Sequence, residues 1–469
     1  MLLLCSTYFL YLFRLTGTGL LGPDEPRYAS IGREMARSGD WITPRLWGQP
    51  WFEKPALLYW TTAAGFRLGL GEELAPRLPV ALLGALFLAF FYWSLRREFG
   101  AEPAWYSTAI LGSCAWWVSF SYVAVPDLPM SAFFSAAMLS GMIWLGSGRT
   151  RWLTAAAASL GFAVLAKGLV PLVLAIPFAW HARAKWKDLL RWQPVAAFLA
   201  VAAPWYALCY LKNGAPFIRT LFWEHHFGRY LSAELQHGQS FWFFVPVFAA
   251  ALFPWTPSIA LLFSRRLYSD PRCKFLLLWL IFGLIFFSAG KNKLPGYILP
   301  LVPPAAALAG IALAEAGRAA RWVLAGAAVS LCLVFPLASM LPQALVVGLS
   351  RSGIPAWNFV WTTPAGLAVA VWYLELKRSR ATAVSLIVIA LTAAVIYLKL
   401  VSFPVIEESY SARPLWRKIS PGPGNVCIEE VQRNWIYGLN YYSVDPLPDC
   451  DVTPKPLHVE QEGGVVIVR

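Results

Sequence analysis

Charge is what this sequence has least of. Asp, Glu, Lys and Arg together make up 14% of its 469 residues, against roughly 25% in an ordinary soluble domain. That shortage excludes the string of water-soluble domains that length alone would predict at ~150 residues each. Acids are scarcer than bases, 25 against 39, and the net charge is +14. A nucleic-acid partner does not follow from this excess. The bases fall largely in short loops between apolar segments, where an anionic lipid surface is the expected partner. An internal repeat is also missing, which weighs against a transporter or lipid flippase built from duplicated halves. No two histidines have the spacing of a standard zinc motif. The start carries neither positive charge nor a small-residue cleavage site, so no cleavable signal peptide is expected.

What is there is apolar. Hydrophobic residues make up 58% of the chain, with 24 Trp, 18 Tyr and 35 Pro, as suits interfacial aromatic belts, broken helices and shaped re-entrant loops. A span needs about 20 apolar residues. Such segments occur at 1–15, 77–95, 103–122, 129–146, 152–166, 168–182, 194–211, 241–263, 274–289, 296–315, 321–342, 357–375 and 382–402. The sequence thus predicts a polytopic α-helical membrane protein with about thirteen transmembrane helices. The first segment is short, which leaves a start further upstream open. With the N-terminus in the cytoplasm, every inner loop is basic, from Arg96 and Arg97 to Lys377, Arg378 and Arg380, as the positive-inside rule requires. The polar stretches then share the outer face: a first outer loop over 16–76, Asp127, a second large loop over 212–240, Lys291–Pro295 and the C-terminal tail.

The tail changes composition near Phe403. Residues 425–430 and 464–469 read as strands and 431–442 as a short helix, so 403–469 is expected to be a small extracytoplasmic α/β domain behind a transmembrane domain over 1–402. Five of the seven cysteines lie in or beside apolar segments, as small hydrophobes. Cys427 and Cys450 lie in the tail, and both a disulfide and two free thiols fit the sequence.

The densest chemistry lies in GPDEPRYASIGREMARSGDWITPRLWGQPWFEKPALLYW, Gly22–Trp60. Tyr28–Arg37 reads as a short amphipathic helix with Ile31 and Met35 four apart on one face. Asp24 is the sharpest candidate. A carboxylate at an apolar boundary is costly without a cation, and Arg27 lies about one turn on. Asp24 suits a general base or orienter for an attacking group; after Gly-Pro and before Pro26 it equally suits a helix cap. Lys54, in Glu53-Lys54-Pro55, suits a phosphate as a compact charge, and Arg27 adds bidentate contacts; an interfacial pair among lipid headgroups is the alternative. Asp127, between Pro126 and Pro129, is either a second catalytic acid or a cap. Lys167, in LAKGLVP, is a charge within an apolar hairpin, and such residues are costly and usually functional; an exposed hairpin tip is the alternative. Trp223–Tyr230 contains Glu224, His225 and His226, one of which, with Glu53, suits a divalent metal or a hydrogen bond to sugar or phosphate. Lys291, Lys293 and Tyr297 bring further cations and a tyrosine. Together these cations describe a site for phosphate at membrane depth, as on a polyprenyl phosphate-linked sugar.

The order DEPRYA, GDWITPRLWGQPWFEKPALLYW, PD, LAKG, EHHFGRY and KLPGYILPLVPP resembles the dolichyl- and undecaprenyl-phosphate-sugar glycosyltransferases of GT-C architecture. Among them it looks like the bacterial aminoarabinose transferases that modify lipid A, and more distantly like protein O-mannosyltransferases. The resemblance covers nearly all of 20–310. It implies an inverting inner-membrane glycosyltransferase taking a sugar from a polyprenyl phosphate donor to a lipid or glycan acceptor on the periplasmic face. It matches Asp24 and Asp127 to catalytic acids. It matches Arg27, Tyr28 and Tyr297 to residues around the donor phosphate, and Glu53 and Lys54 to a pair that contacts metal or donor phosphate; Lys167 and Lys293 join the phosphate-binding set on their charge alone. Glu53 and His226 match a metal pair, with His225 as the alternative. The family pattern has Glu where His225 stands, and the tail here is shorter.

Overall fold

Gly22–Trp60 folds as a helix, a hairpin and the start of a second helix. Helix α1 covers Asp24–Ser38. Pro26 sits in its first turn, where a missing N–H costs nothing. Gly39 ends it at φ 72°, its N–H returning to the Met35 carbonyl, the left-handed stop that glycine adopts without strain. Ile31 and Met35 are buried as expected, facing helix α2, Leu57–Arg67. The two helices touch so closely at Gly32 that a methyl group there would lie 2.5 Å from Thr62 Cγ2. Between them, β1 (Arg45–Leu46) and β2 (Gln49–Pro50) pair antiparallel. The computed structural model describes residues 2–228, 238–348, 351–420, 422–462 and 465–469, and of 2–4, 225–228, 423, 462 and 465 the backbone alone.

Among the described residues, eight helices are long and apolar enough to cross a membrane: α3 (Leu74–Phe99), α4 (Asp127–Ser147), Trp192–Asn213, Pro271–Ala289, α5 (Pro295–Glu315), Ala319–Val347, Phe359–Leu376 and Arg380–Tyr410. A ninth follows if Phe241–Ala251 and Thr256–Phe263, bent by 112°, make one span. The expected thirteen is not reached on length and apolarity. Four of the expected segments are shorter, interrupted or less apolar helices. The second of them breaks at Cys114, whose backbone is extended between Ala101–Ser113 and Ala115–Phe120. Two spans form the centre of the bundle. Of the apolar windows, 89% of α5 and 83% of α4 are buried, against 6% of Phe359–Leu376. Both central helices begin with residues of the site.

The tail forms a three-stranded sheet of order β3-β4-β5, with β3 (Val426–Ile428) parallel to β4 (Leu457–Glu462) and β4 antiparallel to β5 (Val465–Val468). Helix α6 (Arg433–Ser443) lies beside it. The hydrophobic pattern missed β4 because Leu457-His458-Val459-Glu460-Gln461-Glu462 carries only two apolar residues. Cys427 and Cys450 are joined in a disulfide. Leu439, Tyr441 and Trp435 of α6 share a core with Leu20 and Ala29, so the tail packs on the start of the chain. The Tyr442 hydroxyl accepts from the Leu20 N–H and donates to Glu73, and the Tyr441 hydroxyl donates to the Glu72 carbonyl.

Candidate active site

Asp24 is the first residue of α1 and Asp127 the first of α4, each preceded by a proline. Helix starts favour acids through the dipole, yet both side chains are engaged elsewhere. Asp24 Oδ1 accepts from Arg27 Nη2 at 2.6 Å, and Asp127 Oδ1 accepts from Lys167 Nζ at 2.6 Å. Lys167 ends the Thr150–Lys167 helix, and Gly168 at φ 76° turns the chain after it. Its side chain is 12% exposed and its ammonium lies 5.0 Å from the centre of the Tyr297 ring. The exposed-tip alternative therefore falls.

Arg27 is the hub of the other half. Its Nη2 also meets Glu53 Oε2 at 3.0 Å, and its guanidinium stacks near the rings of Tyr28, Trp51 and Tyr437, at 5.1, 6.0 and 5.3 Å. Burial works against this charge, but Glu53, Tyr28 and Asp24 outweigh it and hold the guanidinium above its ordinary value. The Tyr28 hydroxyl is likewise pushed up, by burial first and then by Glu53 and Asp24, which keeps it a neutral donor; it reaches Glu53 Oε1 at 3.5 Å. Lys54 Nζ lies 3.5 Å from the same oxygen. Glu53 and Lys54 are 4% and 11% exposed, so they turn inward rather than out among headgroups.

One cavity of about 480 Å³ collects these groups. Asp24, Tyr28, Lys54, Asp127, Lys167 and Tyr297 line it, and the rest of its wall is largely aliphatic and aromatic, including Phe120, Met130, Val173 and Phe287. Arg27 and Glu53 stand directly behind. Two calls fall outside the cluster. Lys293 does not line the cavity: its ammonium donates to the carbonyls of Gly290 at 2.7 Å and Gln239 at 3.0 Å, tying two loops together. Lys291 is exposed. Asn292, between them, lines the cavity instead, and nothing in its sequence context singled it out.

The side chains of His225 and His226 lie outside the described residues. Of the expected metal pair only Glu53 is described, and its two oxygens face Arg27 and Lys54. Arg27 and Lys54 offset the charge of this carboxylate, and the clusters of metal-ligating type among the described residues lie in the tail.

Comparison with known proteins bears on this geometry. Residues 53–207 match the family model described as dolichyl-phosphate-mannose-protein mannosyltransferase. The chain is 34% identical over 319 residues to an undecaprenyl phosphate-alpha-4-amino-4-deoxy-L-arabinose arabinosyl transferase of Serratia proteamaculans, covering 64% of this chain and 56% of that protein. It is 33% identical over 339 residues to the protein so named in Pseudomonas paraeruginosa, covering 68% and 60%. The chain thus spans less than two thirds of the length of these relatives. Across its whole length it superimposes on the crystal structure of ArnT from Cupriavidus metallidurans bound to undecaprenyl phosphate, with a TM-score of 0.79 at 24% identity, covering 97% of that chain. The fold is GT-C. The chain is accordingly a multi-pass protein of the bacterial inner membrane type, similar to the undecaprenyl phosphate-alpha-4-amino-4-deoxy-L-arabinose arabinosyl transferases.

Within this GT-C fold the largest omission of sequence reasoning is Arg77, at the start of α3. All five of its N–H donors are used. Nε and Nη2 bind Glu25 at 2.7 and 2.8 Å, and Nη1 and Nη2 bind the carbonyls of Leu15, Thr18 and Gly19. Glu25 in turn accepts from the backbone N–H groups of Leu21 and Ala124. The neighbour of Asp24 is thereby fixed to a residue three before Asp127. A buried arginine next to Pro76 at the head of an apolar run was the available signal.

Proposed function

We propose that the chain is an inverting membrane glycosyltransferase. It moves a sugar from a polyprenyl phosphate donor to an acceptor on the periplasmic face, and the acceptor is a glycolipid of the lipid A type. The observation that carries the reading is the single cavity in which Asp24, Lys54, Asp127 and Lys167 meet inside a mostly apolar wall. A prenyl chain needs the apolar wall and its phosphate needs the cations. The names of the relatives point to a 4-amino-4-deoxy-L-arabinose type of sugar. The basic loops support an orientation with the N-terminus in the cytoplasm and this cavity, with the 403–469 domain, on the outer side.

The cluster is balanced, with Arg27, Lys54 and Lys167 against Asp24, Glu53 and Asp127. A donor phosphate brings one more negative charge and must displace a carboxylate. Asp24 is the most exposed of the three at 49%, and an exposed pair is the weakest held. The phosphate therefore takes Asp24's place on Arg27, with Lys54 beside it, and frees Asp24 to face the acceptor. The acceptor oxygen attacks the anomeric carbon from the side opposite the phosphate. The bond from that carbon to the phosphate oxygen breaks, and its electron pair leaves with the polyprenyl phosphate. Arg27 and Lys54 stabilise the charge that develops there. A hydroxyl acceptor gives its proton to Asp24; a phosphate acceptor is only oriented. Lys167, held by Asp127 beside Tyr297, completes the cation set around the phosphate.

The test is transfer itself. Purified protein in detergent is given polyprenyl phosphate sugars and candidate glycolipids, and the acceptor is followed by mass spectrometry. A sugar-sized gain that Asp24→Asn abolishes without unfolding supports the reading. Full activity in that variant overturns the role of Asp24, and donor binding without transfer to any acceptor overturns the transferase.

A further inference from the structure

Helix α1 has a second working face. Asp24, Arg27 and Tyr28 turn toward the cavity described above. Ser30, Arg33, Glu34 and Arg37, spaced by three and four, form another stripe rotated away from it. This stripe lines a separate cavity of about 590 Å³, closed on its other sides by Trp47 and by Asp445 in the turn after α6. We propose that this cavity binds a phosphate on the saccharide headgroup of the acceptor; the proposal rests on the glycosyltransferase reading.

The guanidinium groups carry the argument. Arg33 is 8% exposed, and its cation lies 4.4 Å over the ring of Tyr441. Among the described residues neither Arg33 nor Arg37 has a hydrogen bond or an ion pair within the protein. Glu72 and Asp445 act on Arg33 only at longer range, while burial and Arg37 oppose its charge. A buried cation without an anionic or hydrogen-bonding partner is costly, and here Arg33 lines a cavity. Arginine matches phosphate through paired N–H groups. Glu34 accepts from the Gly48 N–H through Oε1 at 3.0 Å and, among the described residues, forms no ion pair with either arginine.

The lining separates the two cavities chemically. This one is charged and hydroxyl-bearing, with an indole at one side, which suits a sugar and not a prenyl chain. Position separates them as well. Arg27 and Arg33 are six residues apart, about 9 Å along the helix axis, so one phosphate cannot reach both. A saccharide with a second phosphate can. The two are also joined by a stack: Trp47 lies on Tyr437 at 5.5 Å, and Tyr437 lies 5.3 Å from the Arg27 guanidinium. A headgroup seated here is therefore held against the residue that grips the donor.

The test uses the full chain in detergent. Equilibrium binding, without donor, is measured for a glucosamine disaccharide bisphosphate lacking acyl chains and for the same disaccharide without phosphate. Arg33→Gln and Arg37→Gln are each expected to weaken the bisphosphate about 10-fold or more, as for a hydrogen bond to a charged group, and to leave the phosphate-free sugar unchanged. In transfer assays the KM for a phosphorylated acceptor rises by the same factor, with kcat and the donor KM unchanged. Arg37 is exposed, so its variant keeps the test intact if Arg33→Gln fails to fold. Equal weakening of both disaccharides, or unchanged bisphosphate affinity in the folded variants, overturns the proposal. Arginine-dependent binding without any transfer leaves this site standing and removes the transferase. Transfer whose acceptor KM ignores both arginines does the reverse.

Discussion

Glu25 and Arg77 form a two-pronged ion pair with both side chains wholly enclosed, at 0% and 2% exposure. The pair lies between the two catalytic candidates: Glu25 follows Asp24 in sequence and holds the Ala124 N–H on the approach to Asp127. Removing one partner of such a pair strands the other charge, at about 3–5 kcal/mol. Arg77→Met is expected to lower the unfolding temperature in detergent markedly, and Glu25→Gln to do the same. A change of less than about 1 kcal/mol in either variant would show that water replaces the lost partner.

Asp127 and Lys167 make the corresponding joint on the other wall. Lys167→Met removes a cation from the cavity and releases Asp127. Loss of a developing-charge contact costs about 10²–10³-fold in rate. Transfer is expected to fall by that factor while the folded fraction stays constant. Lys167→Arg, which keeps the charge but not the compact shape, is expected to recover only part. Wild-type rates in Lys167→Met would remove Lys167 from the phosphate site.

Gly296, in the first turn of α5, lies against the acid. A methyl group there would stand 2.7 Å from the Phe120 ring and 3.1 Å from Asp127 Oδ1. Overpacking of this kind costs about 1–3 kcal/mol, and a shift near 1 Å at a catalytic group costs on the order of 100-fold. Gly296→Ala should therefore lose activity far out of proportion to its stability, as measured by transfer rate against thermal unfolding.

Asp40 gives a pH dependence outside the spans. Partial burial opposes its charge, but Lys212, at 2.8 Å, and the N–H groups of Ile42 and Thr43 bring its carboxyl below the ordinary range. A lowered folded value adds stability that is complete above the ordinary carboxylate range near 3.9 and is lost as pH falls through the folded value. Asp40→Asn should cost about 0.2–1 kcal/mol at pH 7, and its unfolding temperature should converge with wild type in acid. A gap that stays constant down to pH 3 would show the effect is not electrostatic.

Cys427 and Cys450 close a loop of 23 residues in the tail. A crosslink of that span constrains the unfolded chain by roughly 3 kcal/mol. Cys427→Ser with Cys450→Ser is expected to increase proteolysis within 403–469 and leave the spans protected. Unchanged cleavage would mean that α6 and its contacts to Leu20 and Ala29 hold the tail alone.

The sequence by itself determined what is local. Apolar runs must leave water, so the long spans are legible in the sequence, while the shorter and interrupted helices were overcounted as spans. Asp24, Arg27 and Tyr28 are legible as a group because one helical turn joins them, and Glu53 with Lys54 because they are adjacent. Tertiary structure decided what is distant. Lys167 finds Asp127 across 40 positions because two apolar helices pack, and Tyr437 reaches Arg27 from the other end of the chain because the tail buries Trp435 and Leu439 against the first loop. Lys293 and Lys54 look alike in sequence. One turns to carbonyls and the other to the cavity, since backbone geometry, which periodicity does not carry, decides which partner lies within reach. The break at Cys114 and the strand over 457–462 were illegible for the same reason: neither has a pattern of its own, and each exists because its neighbours fix it there.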